Sequence, residues 1–379
     1  VVLDRPWERV ALMASDTIKL FLAGDVMTGR GIDQILPSPG SPKLREGYIR
    51  NARDYVALAE AANGPIPRPV EPDWPWGDAL EIIGEAAPDA RVVNLETSIT
   101  NDGDFAPRKG IHYRMRPDNI ACLTIAGIDV CVLANNHVLD FGVAGLTDTV
   151  DVLHGIGIRT AGAGRDAQEA WNPAVLSTGH GRMLIWSAGL ESSGISPANA
   201  AGDHRPGVAL LPDLSADSAA LIIERVHAAK REGDLAVASL HWGSNWGYAV
   251  PRGQVQFAHR LIDGGIDIVH GHSSHHPRPI EVYRGQPILY GCGDLINDYE
   301  GISGYEQFRD DLRLLYFVTV DTRTRELHEL RLVPMRSRRM RLERATGDDA
   351  AWLHRVLGDA SSSFGTTISL ANDGTMTAR

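Results

Sequence analysis

"DIVHGHSSHHPR", residues 267–278, places four histidines within seven positions at the end of an apolar run. The run from Gly265 to Val269 reads as a strand, and His270 and His272 bracket a glycine just beyond it. A strand presents ligands at its end in this way. His275 and His276 are followed by Pro277, which predicts a turn leaving that end. The chain carries 14 histidines in 379 residues, so one clump needs support from elsewhere.

The other apolar runs supply it. "LFLAGDVM" ends in Asp25, "VVNLETS" in Asn94 and Glu96, and "CVLANNHVLD" in Asn135, Asn136, His137 and Asp140. "AVASLHWG" ends in His241, and "ILYGCGDLIND" in Asp294 and Asp298. Six runs thus deliver carboxylate, amide or imidazole at the same relative place, and in an open α/β sheet the carboxyl ends of strands are where ligands bind. Apolar runs alternate with helical patterns along the chain, the α/β rhythm. Strands are predicted at 18–23, 91–95, 128–134, 183–188, 235–240, 266–269, 287–291 and 314–320. Helices are predicted at 44–62, 118–126, 146–154, 217–230 and 254–263. Residues 63–77 and 101–112 read as ordered surface loops of the kind that wall a site.

Composition removes several classes of function. A formal charge of −11 and a pI near 5.7 argue against a nucleic-acid groove. The basic run "RSRRMR", 336–341, alternates with apolar residues and predicts a strand with a solvated face. Three cysteines in apolar surroundings predict no disulfide framework and fit a reducing cytoplasm. No stretch approaches the ~18 apolar residues of a membrane span. The first fifteen residues carry charges where a signal peptide needs an apolar core. "TAGAG", 160–164, lacks the spacing of a dinucleotide site, and no serine or cysteine sits in a nucleophile elbow. No organic cofactor is expected.

Mixed Asp, Glu, Asn and His without cysteine indicate a divalent cation rather than structural zinc. The ordered set Gly24-Asp25, Asn94-Leu95-Glu96, Asn135-Asn136-His137, His241-Trp242-Gly243 and Gly271-His272 resembles the CapA-like branch of the calcineurin-like metallophosphoesterases over roughly residues 18–300. The resemblance implies an α/β sandwich of two mixed β-sheets flanked by helices, with the metal where strand ends meet. It implies Asp25, Glu96, Asn136, His241, His270 and His272 around the metal, and His137 as an acid/base that is not a ligand. Residues 1–17 are then an N-terminal extension and 18–321 the catalytic domain. Residues 322–379 are a strand and helix extension packed on the same domain.

Two departures direct the functional reading. The superfamily's first motif is Asp-x-His, and here Met27 stands in the histidine's place. Members serving capsule or poly-γ-glutamate production are typically tied to the membrane, and no anchor is read here. Cytosolic relatives of this kind include epimerases of lasso-peptide biosynthesis, which invert a Cα at the C-terminus of a ribosomal precursor. Inversion needs an acid/base on each face of the substrate and a cation near the developing enolate. His137 with Asp140, and His270 or His272 with Asp294, are the expected pairs, since a carboxylate on one ring nitrogen orients a histidine. The missing nitrogen ligand favours Ca²⁺ or Mn²⁺ over Zn²⁺. Trp242, Trp246 and Tyr248 are candidates for gripping the peptide end. The expected partner is a peptide, with a lasso precursor as one candidate. The alternatives are a metallohydrolase of phosphoesters or amides, and a binding protein with a degenerate site. Oligomeric state has no signature in the sequence.

Overall fold

The first predicted strand forms over Thr17–Val26, and its alternation of side chains explains the architecture. Ile18, Leu20 and Leu22 point into one apolar cluster, Phe21 and Ala23 into another. Each face of this strand is therefore covered, which requires a layer on both sides. The computed structural model describes residues 17–379, so the expected N-terminal extension lies outside the described residues except for Thr17.

Two mixed sheets pack face to face. In the first, Thr17–Val26 lies between the antiparallel Leu312–Asp321 and the parallel Ala90–Leu95, with Val130–Val132 and Arg159–Ala161 continuing in parallel. In the second, Gly181–Leu190, Leu235–His241 and Ile268–His272 run parallel, and Gln286–Leu289 and Ile280–Tyr283 form the edge. The cluster between the sheets combines Leu20, Leu22, Val92 and Val132 with Ile185, Leu235, Val237 and Ile268. Outside the second sheet, Ala236, Ala238 and Leu240 meet the apolar faces of helices Ala216–Ala229 and Arg252–Asp263. Outside the first lie helices Arg53–Asn63, Ala79–Ala86 and Gly142–Gly155. The expected sandwich flanked by helices is the one formed.

Several local expectations are corrected. The helix predicted from residue 44 begins at Arg53, because Gly47 lies in a turn closed by a bridge between Lys43 and Asn51. The helix predicted at 118–126 is a short 3-10 turn, Pro117–Asn119, followed by Ala121–Thr124. In "RSRRMR" only Arg336 and Ser337 belong to the strand Leu327–Ser337, and Arg339 and Met340 turn with positive φ. The 63–77 loop is less superficial than expected: Trp76 is fully buried and donates its indole N–H to the Cys122 carbonyl at 2.7 Å.

Residues beyond 322 extend the first sheet. Leu327–Ser337 pairs along Leu312–Asp321, Met376–Ala378 and Ile368–Leu370 complete that edge, and helix Gly347–Ser362 sends Leu353 and Leu357 into the cluster between the sheets. Cys122, Cys131 and Cys292 are buried free thiols. Among the described residues no helix is long and apolar enough to cross a membrane.

Candidate active site

Parallel pairing brings the chemistry to one place. Asp25 stands opposite Asn94 on one side and Asp294 on the other, while His241 stands opposite His272 in the second sheet. The approach of the first strand to the Asp294 strand is so close that a Cβ on Gly24 would lie 1.7 Å from the Gly293 carbonyl oxygen. The glycine before Asp25 is what lets the two carboxylates become neighbours.

Asp25, His241 and His272 form the first donor cluster, all fully or almost fully buried. Hydrogen bonds fix which ring nitrogens carry protons. His270 Nε2 faces the Ala23 carbonyl oxygen at 2.9 Å and must donate to it. Burial holds this imidazole neutral, pushed down to about 4, so its Nδ1 accepts from Ser239 Oγ at 3.1 Å. Ser239 Oγ, its proton spent, accepts from His272 Nε2 at 2.9 Å. His241 Nε2 donates to Asn136 Oδ1 at 3.1 Å. Both remaining Nδ1 atoms, on His241 and His272, therefore carry lone pairs, and they face each other 2.8 Å apart with Asp25 Oδ1 4.0 Å from the latter. Two converging imidazole lone pairs and a buried carboxylate are a donor set that fits a divalent cation. Burial holds His241 and His272 well below the ordinary histidine range.

Asp25 is itself held in place, accepting from Asn94 Nδ2 at 2.7 Å and from the Ser273 backbone N–H at 3.2 Å. Ser273 adopts φ 93, a conformation that non-glycine residues hold only under constraint. Burial and the nearby Asp294 push Asp25 up to about 7. Glu96 lies beside the cluster, Oε1 3.9 Å from His241 Nε2, and burial followed by Asp25 raises it well above the carboxylate range.

His137 Nδ1 meets Asp140 Oδ2 at 2.6 Å, and its Nε2 lies 3.7 Å from Glu96 Oε1. Asp140 also accepts from the Tyr113 N–H and from Lys109 Nζ. Burial, opposed by Asp140, pushes His137 down to about 4. Burial would raise Asp140, but His137 and Lys109 outweigh it and hold the carboxyl low. Lys109 had no counterpart among the sequence candidates. Its only signal was membership of the 101–112 loop, and it also donates to the Asn136 carbonyl.

The partner of Asp294 differs from expectation. Asp294 Oδ1 meets His275 Nδ1 at 2.9 Å, and its Oδ2 accepts from Asn297 Nδ2 at 2.6 Å. His275 thus turns back into the site although the sequence placed it in a departing turn. Against burial, Asp294 raises its affinity for a proton. Asp25, His275 and Asp294 make a second cluster of potential ligands. His270 and Asn136, both expected at the metal, stand one layer back, where they fix the rings of His272 and His241.

Glu96, Lys109, Ile111, Asn136, His137, His241, His275 and Tyr299 share one cavity of about 250 Å³. Trp242 does not reach it: the ring is fully buried, stacks on Tyr290 and donates to the Tyr290 carbonyl at 3.0 Å. Trp246 does flank the site, 5.3 Å from the His275 ring and stacked on Tyr305 at 4.1 Å. Tyr248 lies farther out, edge-on to His276. Met27 is buried with Tyr299 Oη 3.9 Å from its sulfur and joins neither donor cluster.

Comparison with known proteins gives the chain's family. Residues 19–299 match the family described as bacterial capsule synthesis protein PGA_cap. A Mycobacterium tuberculosis protein described as a probable polyglutamine synthesis accessory protein is 54% identical over 352 residues, 92% of this chain and 93% of its own length. The PGA biosynthesis protein CapA of Bacillus subtilis is 25% identical over 312 residues, 81% of this chain and 70% of its own. A solved phosphatase structure from Mycoplasma pneumoniae overlays with a TM-score of 0.45 at 10% identity, covering 84% of this chain and 93% of that one, too loosely to add to what the sheets themselves show. The chain belongs to the CapA-like family of bacterial capsule synthesis proteins.

Proposed function

We propose that the chain is a metal-dependent acid–base enzyme acting on a peptide, and that its reaction is inversion at a Cα. One observation carries the reading: the histidines of two His–Asp pairs, His137–Asp140 and His275–Asp294, line the same cavity as His241 of the cation cluster. In each, Nδ1 is spent on the carboxylate; His137 Nε2 is left for exchange with a substrate, and His275 Nε2 becomes so when a substrate displaces Asn245, which donates to it. A base on one face removes the α-proton while an acid on the other delivers one, and each aspartate stabilises the imidazolium its partner becomes. A cation held by Asp25, His241 and His272, with Glu96 beside them, would supply positive charge to the developing enolate oxygen. Two imidazole nitrogens in that set weigh against Ca²⁺, which takes oxygen ligands, and leave Mn²⁺ as the proposed ion. Trp246 with Tyr248 offers an apolar edge to the peptide end. Polyglutamine, suggested by a relative's description, joins the lasso precursor as a candidate substrate. The three buried thiols fit the cytoplasm as the place of action.

The second cluster, Asp25, His275 and Asp294, favours one other reading, a two-ion hydrolase of peptide amides or phosphoesters. Incubation of Mn²⁺-loaded protein in D₂O with polyglutamine and precursor peptides, followed by mass and chiral analysis, separates the two. Inversion with gain of one deuteron and no cleavage is the expected result. Cleavage without exchange returns the chain to the hydrolases.

A further inference from the structure

The two donor clusters share Asp25 but do not present the same atoms. In the first, both imidazoles turn lone pairs toward a common point. In the second, Asn245 Nδ2 stands 3.0 Å from His275 Nε2 and donates to it, which leaves the proton of this ring on Nδ1, pointed at Asp294 Oδ1. An N–H already committed to a carboxylate is not a metal ligand.

What stands behind Asp294 completes the difference. Asn297 donates to Asp294 Oδ2, and its own Oδ1 accepts from Arg313 Nη2 at 3.0 Å. Arg313 is 1% exposed, yet among the described residues no carboxylate lies within 4.0 Å of its guanidinium. Its other partners are the backbone carbonyls of Asp310 and Leu312, and its Nε has none. Its charge favours the ionised forms of the neighbouring Asp310 and Asp311 without touching either, and a buried cation with no anion in contact is costly unless it serves charges nearby. Here it faces, through one amide, the carboxylates gathered at Asp25. Met27 supplies no nitrogen on that side.

We infer that the centre holds a single cation at Asp25, His241 and His272, and that the Arg313–Asn297 buttress keeps Asp294 and His275 as a hydrogen-bonded dyad in the place of a second ion. The inference deepens the two-dyad reading, but the metal count does not depend on which reaction follows. Arg313 and Asn297 are positioning residues that act through Asp294.

The test uses the intact chain and Mn²⁺ alone. Stripped protein is loaded with excess Mn²⁺, desalted and counted by elemental analysis, and its electron paramagnetic resonance spectrum is recorded. One ion per chain with the six-line spectrum of an isolated Mn²⁺ is expected, unchanged in His275→Ala and lost in His241→Ala. Arg313→Gln and Asn297→Ala release Asp294 and should raise the count above one at high Mn²⁺. Two ions with a spin-coupled spectrum in the wild type, one of them lost in His275→Ala, would overturn the inference, as would no bound ion. If Arg313→Gln does not fold, the wild-type and His275→Ala counts still decide it. A protein with one ion that cleaves peptides would sink the epimerase reading and leave this inference standing.

Discussion

The two His–Asp pairs on the cavity are built by opposite routes. His137 and Asp140 are three residues apart on one loop, and a local turn suffices to join them. His275 and Asp294 are nineteen residues apart and meet because the antiparallel register of Ile280–Tyr283 with Gln286–Leu289 continues through the Pro277–Cys292 bridge to their positions. The buttresses differ too. Lys109, side chain 23% exposed, braces the first pair from a loop, whereas the fully buried Arg313 braces the second through Asn297 from the sheet. One dyad is set by sequence proximity and a loop, the other by register and a core cation.

The largest expected effect removes either dyad. His137→Ala and His275→Ala should each lower turnover by roughly 10²–10⁴-fold, the range of general acid–base catalysis, with the fold intact by circular dichroism. A variant with normal turnover would show that its dyad is not used. Next is the layer that aims the metal ligands: Ser239→Ala and Asn136→Ala should weaken Mn²⁺ binding by roughly 10–100-fold in a calorimetric titration, since each frees the ring it holds. Unchanged affinity would contradict the assigned tautomers. The loop buttress should matter less: Lys109→Met is expected to cut turnover by about tenfold and Lys109→Arg by less, because a second cation keeps the contact to Asp140. Equal losses in both would point to Lys109 touching the substrate instead.

The smallest catalytic effect separates two tryptophans that look alike in sequence. Trp246→Ala should raise KM with little change in kcat. Trp242→Ala should leave KM alone and lower unfolding stability by ~3–5 kcal/mol, the usual cost of truncating a buried aromatic.

The same comparison explains what the sequence made legible. The alternation of Leu20, Phe21, Leu22 and Ala23 announces a strand covered on both faces, and the recurrence of polar residues at strand ends announces a site. His137–Asp140 is readable because it is local. The His275–Asp294 pair is not, because it depends on the exact register of the hairpin between them, carried through the Pro277–Cys292 bridge although Pro277 suggests a departing turn. His270 misleads for a related reason. Strand alternation permits it to face the other sheet, and only the Ala23 carbonyl there reveals that both its nitrogens are spent. Trp242, next to His241 in sequence, points to the opposite face of its strand and so belongs to the outer core. Lys109, Asn297 and Arg313 carry no motif at all, and their roles exist only once the loop and the two sheets are assembled.

The claim that the two pairs serve opposite faces of one substrate is tested most directly by α-proton exchange in D₂O, starting separately from each epimer of a peptide that the wild type inverts. His137→Ala and His275→Ala should both lose inversion, and each should retain exchange from one epimer only, a different one in each variant. Loss of exchange from the same epimer in both, or inversion surviving in either, would contradict the account.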